Sequence, residues 1–190
     1  NAPEVCAGFT LEINSTPSGG TPGYTYTWSG PSGYTASTQN ISRPNSTGAM
    51  SGGYNLTITD SKGCVATSSV NATVNPNPSV LVSANQPVCI GSDILLSATP
   101  SGGTPGYTYN WSGPGGYSTN VQNPTRNNAT LGMAGTYNVT ITDSKGCINT
   151  SSVDVTVVSK PNSGIDGPLT TCAKEAALFI ATPPAGIGST

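Results

Sequence analysis

A thirteen-residue segment occurs twice in this chain with a single difference. Thr16 to Trp28 read TPSGGTPGYTYTW, and Thr99 to Trp111 repeat them with Asn110 in place of Thr27. A repeat of this length exceeds the roughly 20–50 residues of solenoid and propeller units, so we interpret each copy as a small domain with its own core. The spacing of 83 residues holds for four marker pairs: Cys6 and Cys89, Trp28 and Trp111, Tyr54 and Tyr137, and Cys64 and Cys147.

The spacing divides the chain into two whole repeats and the start of a third. We predict a first repeat over residues 1–76, a second over 77–159, and the first strands of a third over 160–190. The first repeat lacks the counterpart of Pro78 to Ser83 and is expected to lack its first strand. Because no secretory signal precedes Asn1, we expect a mature or excised piece of a longer protein.

Charge and hydropathy exclude several classes of function. Charged residues make up 7% of the chain, against roughly 25% in ordinary soluble domains. Eight acidic and six basic side chains provide no basic surface for nucleic acid or anionic lipid. No run approaches the roughly 20 apolar residues of a membrane span. A polar, uncharged surface fits a secreted, extracellular or cell-surface protein.

Alternating apolar residues predict β-strands in both copies. In the second copy, Ile94, Leu96 and Ala98 are predicted to face inward, whereas the Pro- and Gly-rich stretch Pro100 to Gly106 is predicted to be a loop. Residues 117–131 are expected to hold two or three short strands. Further inward positions are predicted on the strands that follow, at Tyr107, Tyr109, Trp111, Tyr137, Val139 and Ile141.

About seven short strands per copy, a tryptophan on the third strand and a Gly-x-Tyr before an inward strand are typical of an immunoglobulin-like sandwich. The predicted fold is therefore all-β, with tandem immunoglobulin-like β-sandwich domains joined head to tail. The predicted core residues are Trp28, Trp111, Tyr54 and Tyr137.

Four motifs carry a resemblance to a known family. They are a cysteine before the second strand, SGGTPGYTYNWSGP, AGTYNVTITD and KGC. This pattern resembles the Ig-like and PKD-like repeats of large Bacteroidetes-type surface proteins, including gliding-motility adhesins. The resemblance covers residues 6–158 in two copies and the start of a third. It implies a spacer, a fibre or an adhesive tip.

Five cysteines in a repetitive, secreted chain are disulfide candidates: Cys6, Cys64, Cys89, Cys147 and Cys172. The simplest pairing joins Cys6 to Cys64 and Cys89 to Cys147. However, an Ig-like topology separates the two cysteines of one domain by a strand of about eight residues at ~3.3 Å each. The alternative joins Cys6 to Cys147 across the junction and leaves the other three for neighbouring copies.

No catalytic or cofactor site stands out, so we predict no enzyme and no cofactor. The chain has no histidine, which excludes Ser-His-Asp and Cys-His systems, and no Cys-x-x-Cys spacing indicates zinc. The recurring acids Asp60 and Asp143 lie in Asp-Ser-Lys-Gly and are interpreted as hairpin-turn residues.

Two functions remain open from the sequence. The leading hypothesis is a structural module of an extracellular fibre, stalk or adhesin, stiffened by disulfides and polymerising head to tail with neighbouring repeats or copies. In one form of it, the C-terminal segment of one chain adds a strand to the first domain of the next. The alternative is a carbohydrate- or surface-binding module in which exposed Tyr34 and Tyr117 contact surface glycans.

Overall fold

A computed structural model of the chain describes residues 2–160 and contains two all-β units. The predicted third repeat, with Cys172, lies outside these residues apart from Lys160. The first unit contains β1 (Glu4–Cys6), β2 (Leu11–Ile13), β3 (Thr25–Gly30), β4 (Tyr34–Ala36), β5 (Ile41–Arg43), β6 (Gly52–Thr59) and β7 (Val65–Asn75). The second contains β8 (Pro78–Ala84), β9 (Val88–Cys89), β10 (Ile94–Gly102), β11 (Thr108–Gly113), β12 (Tyr117–Thr119), β13 (Thr125–Arg126), β14 (Gly135–Thr142), β15 (Ile148–Val155) and β16 (Val157–Val158).

Each unit packs a larger sheet against a smaller one. The first unit has a five-stranded sheet in the order β1-β7-β6-β3-β4 and a two-stranded sheet of β2 and β5. The second has the order β12-β11-β14-β15 in one sheet, β13-β10-β8 in another, and a parallel pair of β9 and β16. In the described residues, the first unit has no strand at the position of β8. The boundaries between repeats stay predictions.

The core of each unit lies between its sheets. In the first unit it includes Trp28, Tyr54 and Leu11, all at most 3% exposed. In the second, Trp111 and Tyr137 are fully buried and pack with inward residues of β10, β14 and β15. Alternation along the strands therefore places the apolar side chains, as β-strand geometry requires.

The predicted loop from Pro100 to Gly106 is wrong in its first half. Strand β10 continues to Gly102, because β8 pairs with it in antiparallel register from Leu96↔Ala84 to Gly102↔Pro78. Proline and glycine at the end of a strand are tolerated where the main-chain partners come from a single neighbour.

Tyr137 closes the core of the second unit. Its hydroxyl donates to the Met133 carbonyl oxygen at 2.9 Å and accepts from Arg126 Nη1 at 2.8 Å. Its ring lies against the main chain of Gly113, where an added Cβ would be 2.6 Å from a ring carbon. Tyr54 makes the same contacts with Met50, Arg43 and Gly30 in the first unit, listed here as counterparts.

We expect Gly113→Ala to lower the free energy of unfolding by about 1–3 kcal/mol, because the new methyl group overlaps the Tyr137 ring. The cause is space and not backbone strain, since Gly113 has an extended φ of −169°. Chemical denaturation checks this. Gly132→Ala is the matched control, because a Cβ there has nothing nearer than 4.0 Å. Equal stability of the two variants would contradict the expectation.

Candidate functional site

A disulfide bond joins the two units at their junction. Cys6 and Cys147 are bonded with their Cα atoms 5.5 Å apart, although 141 residues separate them in sequence. Cys6 ends β1 opposite Asn75, the last residue of β7. Cys147 lies between the β14–β15 hairpin turn and β15. The bond therefore connects the C-terminal end of the first unit to the hairpin end of the second, and the pairing within each unit does not form.

Polar contacts accompany the disulfide. Lys145 Nζ lies 2.8 Å from Glu4 Oε1, and Asn75 Nδ2 donates to the same oxygen at 3.0 Å. The hydrogen bond from Lys145 lowers the pKa of Glu4, and the same contact raises the pKa of Lys145. Because both side chains are 45% exposed, solvent screens this ion pair and it orients the units more than it stabilises them.

The linker between the units is short and tied down. Strand β7 ends at Asn75 and β8 begins at Pro78, so only Pro76 and Asn77 intervene. Asn77 Nδ2 donates to the Ala7 carbonyl oxygen at 3.1 Å. The peptide linker and the disulfide are thus two separate covalent connections between the units.

The Asp143 carboxylate organises the turn that carries Cys147. Its Oδ1 accepts hydrogen bonds from the main-chain N–H groups of Lys145 and Cys147, both at 2.9 Å. Its Oδ2 accepts from the N–H of Thr104 at 2.8 Å and so fixes the loop before β11. The side chain is 4% exposed. The sequence interpretation as a turn residue thus describes what Asp143 does, and Thr104 is a partner that the spacing did not indicate.

Asp60 has the same role in the first unit. It accepts main-chain hydrogen bonds from Thr21, Lys62 and Cys64. The hydrogen bond from Thr21 is the largest cause that lowers the pKa of Asp60. For Asp143, burial raises the pKa, but the three main-chain hydrogen bonds outweigh it and the net pKa is lowered.

We expect the stability of both units to fall in acid through these two carboxyl groups. A pKa lowered by folding gives a contribution that is complete above the unfolded value of about 3.9 and is lost as the pH drops through the folded value. Denaturation at pH 7 and at pH 3 measures it. Asp143→Asn should flatten the pH dependence, whereas Glu12→Gln, on an exposed position of β2, should leave it unchanged. An Asp143→Asn curve parallel to the parent curve would contradict this.

Cys64 and Cys89 are exposed and have no disulfide partner among residues 2–160. Cys64 follows the β6–β7 turn, as Cys147 follows the β14–β15 turn. Cys89 is paired in register with Val158 at the end of the second unit, as Cys6 is with Asn75 at the end of the first. The two thiols therefore lie at opposite ends of the pair of units, in the positions that form the disulfide at the junction.

Tyr34 and Tyr117 are half-buried and not exposed as the sequence had suggested. Each ring packs edge-on against a core tyrosine, with centroids 6.1 Å apart for Tyr34 and Tyr54 and 5.8 Å apart for Tyr117 and Tyr137. A guanidinium group covers each outer ring, with the Cζ atom of Arg43 4.3 Å from the Tyr34 centroid. The rings are therefore occupied by protein contacts on the faces that a sugar would need.

Arginines complete both tyrosine clusters, and we did not select them from the sequence. Arg126 Cζ lies 4.9 Å from the Tyr117 centroid, and its Nη1 donates to the Pro114 carbonyl oxygen at 2.8 Å. The signal was available, because Arg43 and Arg126 are 83 residues apart in a chain with only six basic residues. Cation–π contact and hydrogen bonds together hold the ring and the turn in place.

In the described part of the chain, no group of three or more His, Cys, Asp or Glu side chains is placed to hold a metal ion. Nor is there a helix there with the length and apolar character that a membrane crossing requires.

The SprB repeat family matches this chain twice, over residues 3–33 and 82–116. The two matches end one period apart, at Gly33 and Gly116, so the family repeat and the internal repeat share a register. The chain carries tandem SprB-type repeats. The resemblance to Ig-like repeats of Bacteroidetes surface proteins is thereby confirmed. The units are structural repeats of a surface protein.

Solved structures agree with the fold of these SprB-type repeats. The N-terminal eight Ig domains of Down syndrome cell adhesion molecule align with a TM-score of 0.66 at 15% identity, covering 87% of this chain and 24% of that one. Three N-terminal domains of the bacteriophage RB49 outer capsid protein Hoc give a TM-score of 0.41 at 20% identity, covering 80% and 55%. The first alignment confirms the tandem Ig-like fold. Comparison with curated proteins gives no significant match.

Proposed function

We propose that this chain is a mechanical spacer of the cell exterior, a segment of a stalk, fibre or adhesin whose function is reach and stiffness. The observation that carries the proposal is the disulfide between Cys6 and Cys147, because it connects two folded units and not two parts of one unit. A bond within a unit would raise only the stability of that unit. A bond across the junction also restrains how the units are oriented. Catalysis has no part in this function.

The short linker supports the same function. With only Pro76 and Asn77 between the last strand of one unit and the first of the next, the units cannot separate. A second covalent connection at Cys6 removes most of the bending that a single linker leaves. The remaining motion is a rotation about the line through the two connections, which the Glu4–Lys145 contact opposes.

We expect the double variant Cys6→Ser, Cys147→Ser to lose the fixed orientation of the units. Residual dipolar couplings measure this, since two rigidly connected units share one alignment tensor. The variant should need two tensors, and its free energy of unfolding should fall by about 2–4 kcal/mol. Cys64→Ser is the control, because that thiol is exposed and makes no disulfide in the described residues. A single shared tensor in the double variant would refute a stiffening role.

The proposal extends to further junctions of the same kind. Cys89 occupies the place of Cys6 one period on, and Cys64 occupies the place of Cys147 one period back. In a longer array, or between copies, Cys89 would bond to the hairpin cysteine of the following unit. Cys64 would bond to the N-terminal cysteine of the preceding one. Partners are thus neighbouring repeats of the same type.

This pattern predicts which cysteines link when the purified chain is oxidised with glutathione disulfide, which accepts the two electrons and leaves as glutathione. Peptide mapping of the multimers should find Cys64 joined to Cys89 or to Cys172. The opposite ends of the units then meet, as they do at the internal junction. The Cys64→Ser variant should form no such ladder. Multimers joined mainly through Cys64–Cys64 bonds would refute head-to-tail assembly.

A further inference from the structure

The first unit has an open groove between its two sheets. The groove has a volume of about 270 Å³, and its floor includes the buried core residues Trp28 and Leu56. No charged side chain lines it. One wall is the extended segment that continues β2, and the other is part of β7; the residues lining these walls are Ile13, Asn14, Ser15, Thr16, Ser68, Ser69 and Val70.

A strand of the protein itself fills the equivalent place in the second unit. The segment from Ile13 to Thr16 corresponds, 83 residues on, to the segment from Leu96 to Thr99. Strand β8 pairs with that segment in antiparallel register, from Ala84 opposite Leu96 to Leu81 opposite Thr99. Its alternate side chains Val80, Val82 and Ala84 pack on the core. The groove therefore has the site, the apolar floor and the strand edge that β8 uses.

The edge of the groove is held in the extended conformation without a strand against it. Ser15 N–H donates to Asn40 Oδ1, and Gln39 Nε2 donates to the Ser15 carbonyl oxygen, both at 2.9 Å. In the second unit, Asn123 and Gln122 make the same two bonds with Ala98, at 3.0 and 2.9 Å. The acceptor edge is thus fixed from its other side and is the same in both units.

Main-chain groups on this edge point into the groove. Successive N–H and C=O groups of an extended strand alternate between its two edges. Since those of Ser15 point to Asn40 and Gln39, those of Asn14 and Thr16 point to the open side. Among residues 2–160, neither Asn14 nor Thr16 makes a main-chain hydrogen bond. An exposed row of such groups is a template for one more strand.

We propose that this groove binds an extended segment of a separate polypeptide by strand addition, antiparallel to residues 13–16. The occupant is an uncharged strand of six or seven residues with small, β-branched apolar side chains at alternate positions, as in Pro78–Ala84. Main-chain hydrogen bonds provide the affinity, and the apolar floor selects the side chains. The proposal does not depend on the stiffness of the junction.

The probe is a capped synthetic peptide with the sequence of Pro78–Ala84, titrated into the full-length chain and followed by NMR. Saturable shifts are expected at Ile13, Ser15 and Val70. Ser152 and Val153 are the internal control, because β8 already fills the groove of the second unit. A peptide with Val80→Asp and Val82→Asp should bind at least about tenfold more weakly, since carboxylates meet an apolar floor. Equal binding of the two peptides would overturn the proposal.

A tethered strand provides the second measurement. In the second unit, residues 78–87 lead directly into Val88, the counterpart of Val5. Replacing residues 1–4 by the sequence of 78–87 should fill the groove, protect the amides of Asn14 and Thr16 from hydrogen exchange, and abolish peptide binding. Such protection supports the proposal even where the free peptide is too weak to saturate. Unprotected amides together with no saturable peptide shift would overturn it.

Sedimentation distinguishes a separate strand from a second copy of this chain. Without peptide, the reduced chain is expected to sediment as a monomer. A dimer that excludes the peptide would show that a second copy already occupies the groove, and would overturn the proposal of a separate strand.

Discussion

Three main-chain hydrogen bonds to the Asp143 carboxylate shape the end of the second unit that meets its neighbour. They close the hairpin turn, attach the loop at Thr104 and hold the N–H of Cys147. A charged acceptor with three short donors is strong and needs no cation nearby. Asp60 repeats the arrangement before Cys64. In a chain with so few charges, one carboxylate per unit thus positions the cysteine that bonds to the next unit.

The opposite end of each unit is built by main-chain pairing. Cys6 lies in a parallel pair with the end of β7, and Cys89 lies in a parallel pair with β16. Each unit therefore presents an N-terminal cysteine at one end and a hairpin cysteine at the other. The contact between unlike ends is heterologous, and a heterologous contact without a closing rotation produces a linear array. The geometry of a single unit thereby favours an extended assembly over a closed oligomer.

The repeat register and the strand alternation predicted the two cores, including Trp111 and Tyr137, because burial in a sandwich follows the period of two. They did not predict that β10 extends to Gly102, since that depends on main-chain bonds to β8 and not on the side chains of Pro100 or Gly102. The disulfide pairing also stayed open. Sequence gives the order of the cysteines, whereas only the packing of two units shows which ends meet.

The junction is held together by covalent bonds more than by contact energy. The Glu4–Lys145 ion pair is exposed to solvent, and pairs of this kind are weak and screened by salt. A disulfide is indifferent to ionic strength and needs no large apolar interface, which a surface of hydroxyl and amide groups does not offer. The orientation of the units therefore depends on the redox state of Cys6 and Cys147 far more than on salt. That dependence suits a repeat that works outside the cell, where disulfides persist.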